Sequence, residues 1–225
     1  MKVSHIIYKV NDLHEAVEEF RKQGFTVEYG RTKNPYNAVI YFSQGPYLEL
    51  LGSTGMPGIA KRMLRLLGSR KMADRMDFWD NYPSGCCGMH LENYASDLEQ
   101  EKAALKKYNQ KFFELSSVRK DTKGRALRCR CLFPDELGIP SMMTYFSIDP
   151  KPKNFVHPNG AVRIGDVFFG TKPDYIPLIQ ELCDDDFLHL FVSERPGDDI
   201  RFEFQFLSNT TEQQPGLELA RCMMQ

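Results

Sequence analysis

Two histidines in this chain hold the same place in a repeated pattern, and the imidazole ring is both a metal ligand and a proton carrier near neutral pH. His5 lies seven residues before Asp12-Leu13, and His90 lies seven residues before Asp97-Leu98. The chain has five histidines and no other Asp-Leu dipeptide. Chance is a poor explanation for this coincidence, so the pattern indicates an internal repeat with one histidine in each copy.

A carboxylate in an apolar segment is the third side chain that could do chemistry. Glu49 stands within Tyr47-Leu-Glu-Leu-Leu51, where the neighbouring residues favour burial. Burying a charge is costly unless the charge is paired, so a buried Glu49 needs a partner. A lone histidine on a strand is more often a core residue, but two at equivalent positions of a repeat favour a functional site.

Local patterns predict the elements that position these side chains. Residues 3–10 are rich in β-branched and aromatic types, which is typical of a strand. Asp12 is a helix cap with Glu15 three residues later, and Gly24 ends that helix. Further strands are predicted at residues 25–31, 38–43 and 47–51. The first unit is therefore βαβββ.

The repeat divides the chain into five segments. The second unit has the same order of elements as the first, and a third unit is βαββ, with Val167 where the others have histidine. Between the first two units, apolar residues spaced among Arg and Lys predict one or two amphipathic helices, either a packed connector or a lid over a pocket. The predicted segments are 1–53 (first module), 54–83 (helical connector), 84–150 (second module), 151–208 (partial third module) and 209–225 (polar tail).

Composition excludes several classes of partner. The 225 residues are 42% hydrophobic and 26% charged with a net charge of −1, so the chain lacks the basic field that binds nucleic acid or an anionic membrane. No apolar run approaches the roughly 20 residues of a membrane span, and no signal-peptide pattern is present. We therefore expect a cytoplasmic protein.

The six cysteines are expected to be reduced, because no export signal accompanies them. Cys129 and Cys131 alternate in a predicted strand and so share one face, whereas Cys86 and Cys87 are adjacent and point to opposite faces. Buried structural thiols are the simpler interpretation, and a redox or metal role is the alternative.

Short motifs accompany the tandem βαβββ units: His5 with Asp12-Leu13, Gly24-Phe25, Tyr47-Leu-Glu49-Leu and His157-Pro-Asn-Gly160. Together they resemble the glyoxalase-like domain group of the vicinal-oxygen-chelate superfamily, which includes glyoxalase I, extradiol dioxygenases and fosfomycin-resistance enzymes. The resemblance covers about residues 3–165. It implies an α+β fold in which tandem βαβββ modules form a curved antiparallel half-open barrel around a cavity, followed by the partial C-terminal βαββ module.

The resemblance also implies a ligand set, because the first and last strands of each module carry the metal-ligand positions in such proteins. Carried over residue by residue, it implies His5, Glu49 and His90 as metal ligands, with Glu49 also as the catalytic residue. The last strand of the second module has no acidic residue, so Thr144 is a candidate fourth position. Two imidazoles and one carboxylate suit a divalent Fe, Mn, Zn or Ni ion with positions open for substrate.

Three functions remain open. The first is a divalent-metal-dependent enzyme, of the lyase, isomerase or dioxygenase type, whose small substrate chelates through vicinal oxygens. The second is a metal-free protein that binds or sequesters a small molecule in the same cavity. The third is an interaction module whose third unit covers a sheet edge or forms a homodimer. Fold alone does not choose between them, since one architecture hosts all three.

Overall fold

The structure is a computed structural model that describes residues 1–207. Within that range the chain forms eleven strands and five α-helices. The strands are β1 (Lys2–Lys9), β2 (Glu28–Tyr29), β3 (Asn37–Ile40), β4 (Tyr47–Leu51), β5 (Gly85–Asn93), β6 (Phe112–Lys120), β7 (Ala126–Pro134), β8 (Ser141–Thr144), β9 (Ala161–Thr171), β10 (Leu188–Val192) and β11 (Ile200–Phe206). The helices are α1 (Leu13–Lys22), α2 (Gly58–Leu66), α3 (Arg70–Asn81), α4 (Glu99–Lys107) and α5 (Ile176–Leu182), the last preceded by a 3-10 turn at Pro173–Tyr175.

The two βαβββ modules form one eight-stranded sheet in the order β2-β3-β4-β1-β5-β8-β7-β6. Each module supplies one half, and the first strands of the modules, β1 and β5, pair antiparallel at the centre. Within each module the first strand pairs in parallel with the last, as β1 with β4 and β5 with β8, and the remaining neighbours are antiparallel. The predicted α+β fold with a curved half-open sheet is thereby confirmed.

Alternation along β1 separates the two faces of this sheet. Ile6 and Tyr8 point into the large apolar core, whereas Ile7 belongs to a second apolar cluster that includes residues of α3. His5 is on the same face as Ile7, because side chains two apart in a strand point the same way. Helix α3 therefore packs over the face of the sheet that carries His5.

Helix α1 begins where the sequence predicts it. The Asp12 carboxylate accepts a hydrogen bond from the Glu15 N–H at 2.9 Å, which satisfies one of the free amides of the first turn. Leu13, Val17 and Phe20 form a buried stripe, and burial of each such side chain contributes roughly 1.5–3 kcal/mol. The stripe packs against the face of the sheet opposite to His5.

The connector between the modules consists of two helices of different character. Helix α3 packs on the sheet through Met72, Met76 and Trp79, and the Trp79 indole N–H donates to the Cys87 carbonyl at 3.0 Å. Helix α2 leaves Ile59 exposed. None of the helices in the described range is long and apolar enough to cross a bilayer.

The third unit forms its own three-stranded sheet, in the order β10-β9-β11. Its elements follow the predicted βαββ order, and Val167, at the position equivalent to the two histidines, is fully buried in the large core. The third unit therefore supports the back of the main sheet and contributes no strand to the face that carries His5. The polar tail predicted at 209–225 lies outside the described residues.

The loop that leads into β9 clamps the end of α1. His157 is 2% exposed, and its Nδ1 accepts a hydrogen bond from the Thr26 N–H at 2.9 Å. Gly24 has a φ of +80°, and a Cβ built on it would lie 2.9 Å from the Cβ of Asn159. The turn after α1 therefore requires a glycine for its backbone conformation and also for the close approach of this loop.

We expect Gly24→Ala to lower the free energy of unfolding by more than Gly124→Ala. A left-handed φ costs alanine about 1–2 kcal/mol at either site, and Gly24 adds the collision with Asn159. Gly124 is a matched control, because its φ is +76° and no atom lies within 4 Å of its added Cβ. Urea unfolding of the two variants measures the difference, and equal losses would show that the loop does not press on Gly24.

Candidate active site

The three side chains predicted as ligands line one cavity of about 310 Å³. His5 comes from β1, Glu49 from β4 and His90 from β5. The antiparallel register sets His5 directly across from His90, and the parallel register sets Glu49 across from Ile7, two residues along from His5. Pairing of the first strands of the two modules therefore brings the two histidines together, and pairing of β1 with β4 brings Glu49 to His5.

The ring of His5 lies in a stack of three aromatic rings. It packs on Tyr47 at a centroid distance of 4.6 Å and an interplanar angle of 13°, and on His90 at 4.4 Å and 11°. Trp79 from α3 lies 6.0 Å from the ring of His90. The two imidazoles therefore face each other with nearly parallel planes.

Glu49 is the carboxylate of the cavity and contacts His5. Its Oε2 lies 3.5 Å from the Nε2 of His5, and its Oε1 accepts a hydrogen bond from the amide of Asn37 at 2.7 Å. Burial raises the pKa of Glu49 above the ordinary value, although the bond from Asn37 and the charge of Arg119 oppose the rise. Burial, with smaller effects from His90 and Arg119, holds the pKa of His5 well below its usual range. Near neutral pH the imidazole of His5 is therefore uncharged. Glu49 retains a proton more readily than an exposed glutamate does.

A second carboxylate lies behind His5. Ser4 donates a hydrogen bond to the Oε2 of Glu92 at 2.6 Å, and its oxygen lies 3.1 Å from the Nδ1 of His5. The Nζ of Lys151 lies 3.5 Å from the other oxygen of Glu92 and stabilises its charge. Because the hydroxyl proton of Ser4 is directed to Glu92, Ser4 is left to accept from Nδ1–H, and the lone pair of the neutral ring is then on Nε2, the atom that lies 3.5 Å from Glu49.

An irregularity in β1 makes this chain of contacts possible. The β1–β5 register shifts between Val3 and His5, so Ser4 has no partner in the ladder. Such a bulge breaks the strict alternation of faces, which lets Ser4 reach a side chain that is its neighbour in sequence. Sequence reasoning missed Ser4 and Glu92. The available signal was Glu92 itself, a carboxylate two residues after His90 in an otherwise apolar strand.

The predicted metal ligands do not fit one ion in this arrangement. The Nε2 of His5 and the Oε2 of Glu49 have a separation suited to neighbouring positions on an ion with bonds of about 2.0–2.2 Å. An imidazole lone pair lies in the ring plane, however, and the plane of His90 is stacked parallel to that of His5, so the two lone pairs do not meet. The described residues contain no group of three or more His, Cys, Asp or Glu side chains that could hold a metal ion.

Thr144, the candidate fourth position, does not line this cavity. Its hydroxyl accepts a hydrogen bond from the Arg130 N–H at 3.0 Å. The parallel register pairs Met143 with Glu92, as it pairs Glu49 with Ile7, so Met143 is the counterpart of Glu49 in the second module. The alignment that selected Thr144 is therefore wrong by one residue.

Among the described residues, Arg119 is the only other charged side chain that lines the cavity, beside a few uncharged polar groups such as Thr54 and Ser117. Arg119 from β6 lines the wall, where it donates to the hydroxyl of Tyr41 at 2.8 Å and to the Gly30 carbonyl at 3.2 Å. Thioether and aromatic side chains cover much of the remaining surface: Met56, Met72, Met76, Trp79, Phe133 and Phe146. With both histidines uncharged, the charged groups that line the cavity are Arg119 and, when it is ionised, Glu49. The cavity therefore suits a largely apolar molecule with one carbonyl or anionic oxygen.

Solved structures resemble this chain at low sequence identity. A hypothetical protein from Staphylococcus aureus superposes with a TM-score of 0.60 and 15% identity over 86% of both chains. A methylmalonyl-CoA epimerase from Streptomyces coelicolor gives 0.40 and 16%, over 64% of this chain and 97% of that one. A Mn(II)-bound glyoxalase from Novosphingobium aromaticivorans gives 0.46 and 12%, over 80% and 50%. The likeness to the Staphylococcus aureus protein concerns the fold alone.

The family model described as "Glyoxalase-like domain" matches residues 3–182. That range includes both βαβββ modules and reaches the end of α5 in the third unit. Among the curated proteins, none matches the chain.

We expect the stability of the protein to decrease in acid partly because His90 resists protonation. Burial, and secondarily the charge of Arg75, lowers the pKa of His90 to about 3. Between that value and the ordinary pKa of about 6.5, the unfolded chain binds a proton that the folded chain excludes, so stability falls as pH falls. His90→Gln should make the dependence of the unfolding free energy on pH shallower by up to about 1.4 kcal/mol per pH unit in this window.

Denaturant unfolding at several pH values from 4.5 to 7 measures that slope. The control is His14→Gln on the exposed part of α1. Equal slopes in the wild type and His90→Gln would mean that the folded protein protonates His90 without penalty.

Proposed function

The chain belongs to the glyoxalase-like domain family of the vicinal-oxygen-chelate superfamily, and on this premise we propose that it is an enzyme of the isomerase or lyase type. The proposed reaction is proton transfer at a carbon next to a carbonyl group of a small, largely apolar molecule. The observation that carries this proposal is the contact of Glu49 with the Nε2 of His5 inside a largely apolar cavity.

Glu49 is the proposed general base. A base works best when its pKa lies near the working pH, and burial moves the pKa of Glu49 in that direction. The ionised carboxylate of Glu49 takes the proton from the C–H bond, and the protonated Glu49 that results is placed to donate to the Nε2 of His5. Asn37 fixes the other carboxylate oxygen and so the orientation of the base.

Arg119 is the proposed stabiliser of the oxyanion. Removal of a proton next to a carbonyl places negative charge on the carbonyl oxygen, and a fixed guanidinium in an apolar wall lowers the energy of that charge. Tyr41 and the Gly30 carbonyl hold Arg119 in place before a substrate binds. The electrons return to carbon when Glu49 delivers the proton again, so the reaction needs no external oxidant or reductant.

Two other functions compete with this proposal. A divalent metal at His5, Glu49 and His90 is favoured by the spacing of the first two ligands, but the ring of His90 would have to leave its stack. A metal-free protein that only binds a small molecule would use the same apolar cavity. Both are outcomes of the following experiment.

In D₂O, we expect the chelator-treated protein to catalyse the exchange of hydrogen for deuterium at the carbon next to the carbonyl of apolar aryl and alkyl ketones. Glu49→Gln should slow this exchange by on the order of 100-fold or more. Proton NMR of the ketones measures the exchange. Glu203→Gln, at an exposed position on β11, is the matched control and should retain the wild-type rate.

Other results would favour a competing function. Exchange that requires added Fe, Mn, Zn or Ni and is lost in His5→Ala and His90→Ala would support the metal-dependent enzyme instead. Binding without exchange would support the binding protein. Trp79 reports binding directly, because it is the only tryptophan of the chain and lines the cavity.

We expect Ser4→Ala to slow the exchange by roughly 10-fold to 100-fold, the usual effect of removing a group that orients a functional histidine. In Ser4→Ala, the Nδ1–H of His5 loses the hydroxyl oxygen that accepts its hydrogen bond. The ring proton can then move to Nε2, where it disfavours a proton on the neighbouring Glu49. The pH dependence of the rate should shift in the same direction for Ser4→Ala and Glu92→Gln. An unchanged pH dependence in both would show that the two residues serve the fold alone.

A further inference from the structure

Two thiols line the cavity at a short separation. Cys129 and Cys131 are two residues apart on β7, so their side chains share one face, and both contribute to the cavity wall. Their sulfur atoms are 3.8 Å apart, and both cysteines are free.

This separation does not suit a disulfide. A disulfide bond requires sulfur atoms about 2.05 Å apart and Cα atoms within about 6.8 Å. Residues two apart in an extended strand have Cα atoms about 6.6–6.8 Å apart, which is already the upper limit. Closing the bond between Cys129 and Cys131 would therefore bend β7, which is paired to β6 along its full length.

The same separation suits one metal ion held by both sulfurs. Two thiolates at bonds of about 2.3 Å lie about 3.8 Å apart around a tetrahedral ion and about 4.0 Å apart around a trigonal ion. The Sγ atoms of Cys129 and Cys131 have that spacing without any movement of the strand.

A third sulfur-containing side chain lies across from the pair. Met143 on β8 is paired directly with Cys131 in the β7–β8 ladder and lines the same cavity, and its Sδ lies 3.7 Å from the Ser4 hydroxyl. Two thiolates and a thioether form a soft ligand set, which selects Cu(I) over harder ions. Two thiolates with a monovalent ion leave one negative charge, and Arg119 on the adjacent strand supplies a positive charge to the same cavity.

We propose that Cys129, Cys131 and Met143 form a binding site for a soft monovalent metal ion of the Cu(I) type in the wall of the cavity. The site shares no side chain with the His5–Glu49 pair, and binding of the ion does not require the proposed proton transfer. The two sites touch at one point, because the Sδ of Met143 lies 3.7 Å from the Ser4 hydroxyl that contacts His5. Trp79 and Phe133 pack in one apolar cluster with Cys131 and Met143, which limits water at the sulfurs. A bound ion would occupy space in the cavity and lie close to Trp79.

Anaerobic titration of the reduced protein with Cu(I), in competition with a chromogenic Cu(I) chelator, tests this site. We expect one equivalent to bind, with quenching of Trp79 fluorescence. Cys129→Ser should weaken binding by on the order of 100-fold and Met143→Leu by on the order of 10-fold. Cys129 is the less buried of the two thiols, so its variant is the safer test of folding, and a thermal melt of each variant checks the fold.

The chain supplies matched controls. Cys86→Ser and Cys183→Ser remove thiols that do not line the cavity, and Cys222→Ser removes the thiol outside the described residues. These variants should bind Cu(I) as the wild type does. The proposal is overturned if the wild type takes no Cu(I) from the chelator, if a control variant loses as much affinity as Cys129→Ser, or if mild oxidation joins Cys129 to Cys131 in a disulfide detected by mass spectrometry.

Discussion

The pairing of β1 with β5 is the contact on which the rest of the structure depends. These are the first strands of the two modules, and their antiparallel ladder joins two four-stranded halves into one sheet. Without it, each module would expose an edge strand with unpaired backbone groups, and the cavity would lack half of its wall. The same ladder places His5 across from His90, so the interaction that assembles the fold also assembles the candidate site.

A single departure from regular pairing determines the chemistry available there. Because the ladder shifts at Ser4, this hydroxyl reaches both Glu92 and His5, and the proton of the imidazole is held on Nδ1. The lone pair of the neutral ring is then on Nε2, which lies 3.5 Å from Glu49, and burial raises the pKa of Glu49. The ion pair of Glu92 with Lys151 thus acts through Ser4 on the position of the proton of the His5 ring, which lines a largely apolar cavity.

Most of the fold could be predicted because its signals are local. The cap at Asp12, the spacing of apolar residues in the connector and the βαββ order of the third unit all depend on neighbours within one or two turns of chain. The alignment of the eighth strand failed for a physical reason. All four residues of β8 are buried, so the alternation that distinguishes its two faces leaves no trace in residue type, and Thr144 was taken for the position that Met143 holds.

The sequence by itself determined that His5 and His90 occupy equivalent strands of a repeat, and that Glu49 stands in an apolar strand. Strand and helix periodicity encode positions of that kind, because they depend on the direction of each side chain from its own backbone. Only the tertiary structure decided that the two imidazoles stack with parallel planes instead of aiming at one point. Ring orientation depends on contacts with Tyr47 and Trp79, which come from other elements, and no spacing along the chain records those contacts.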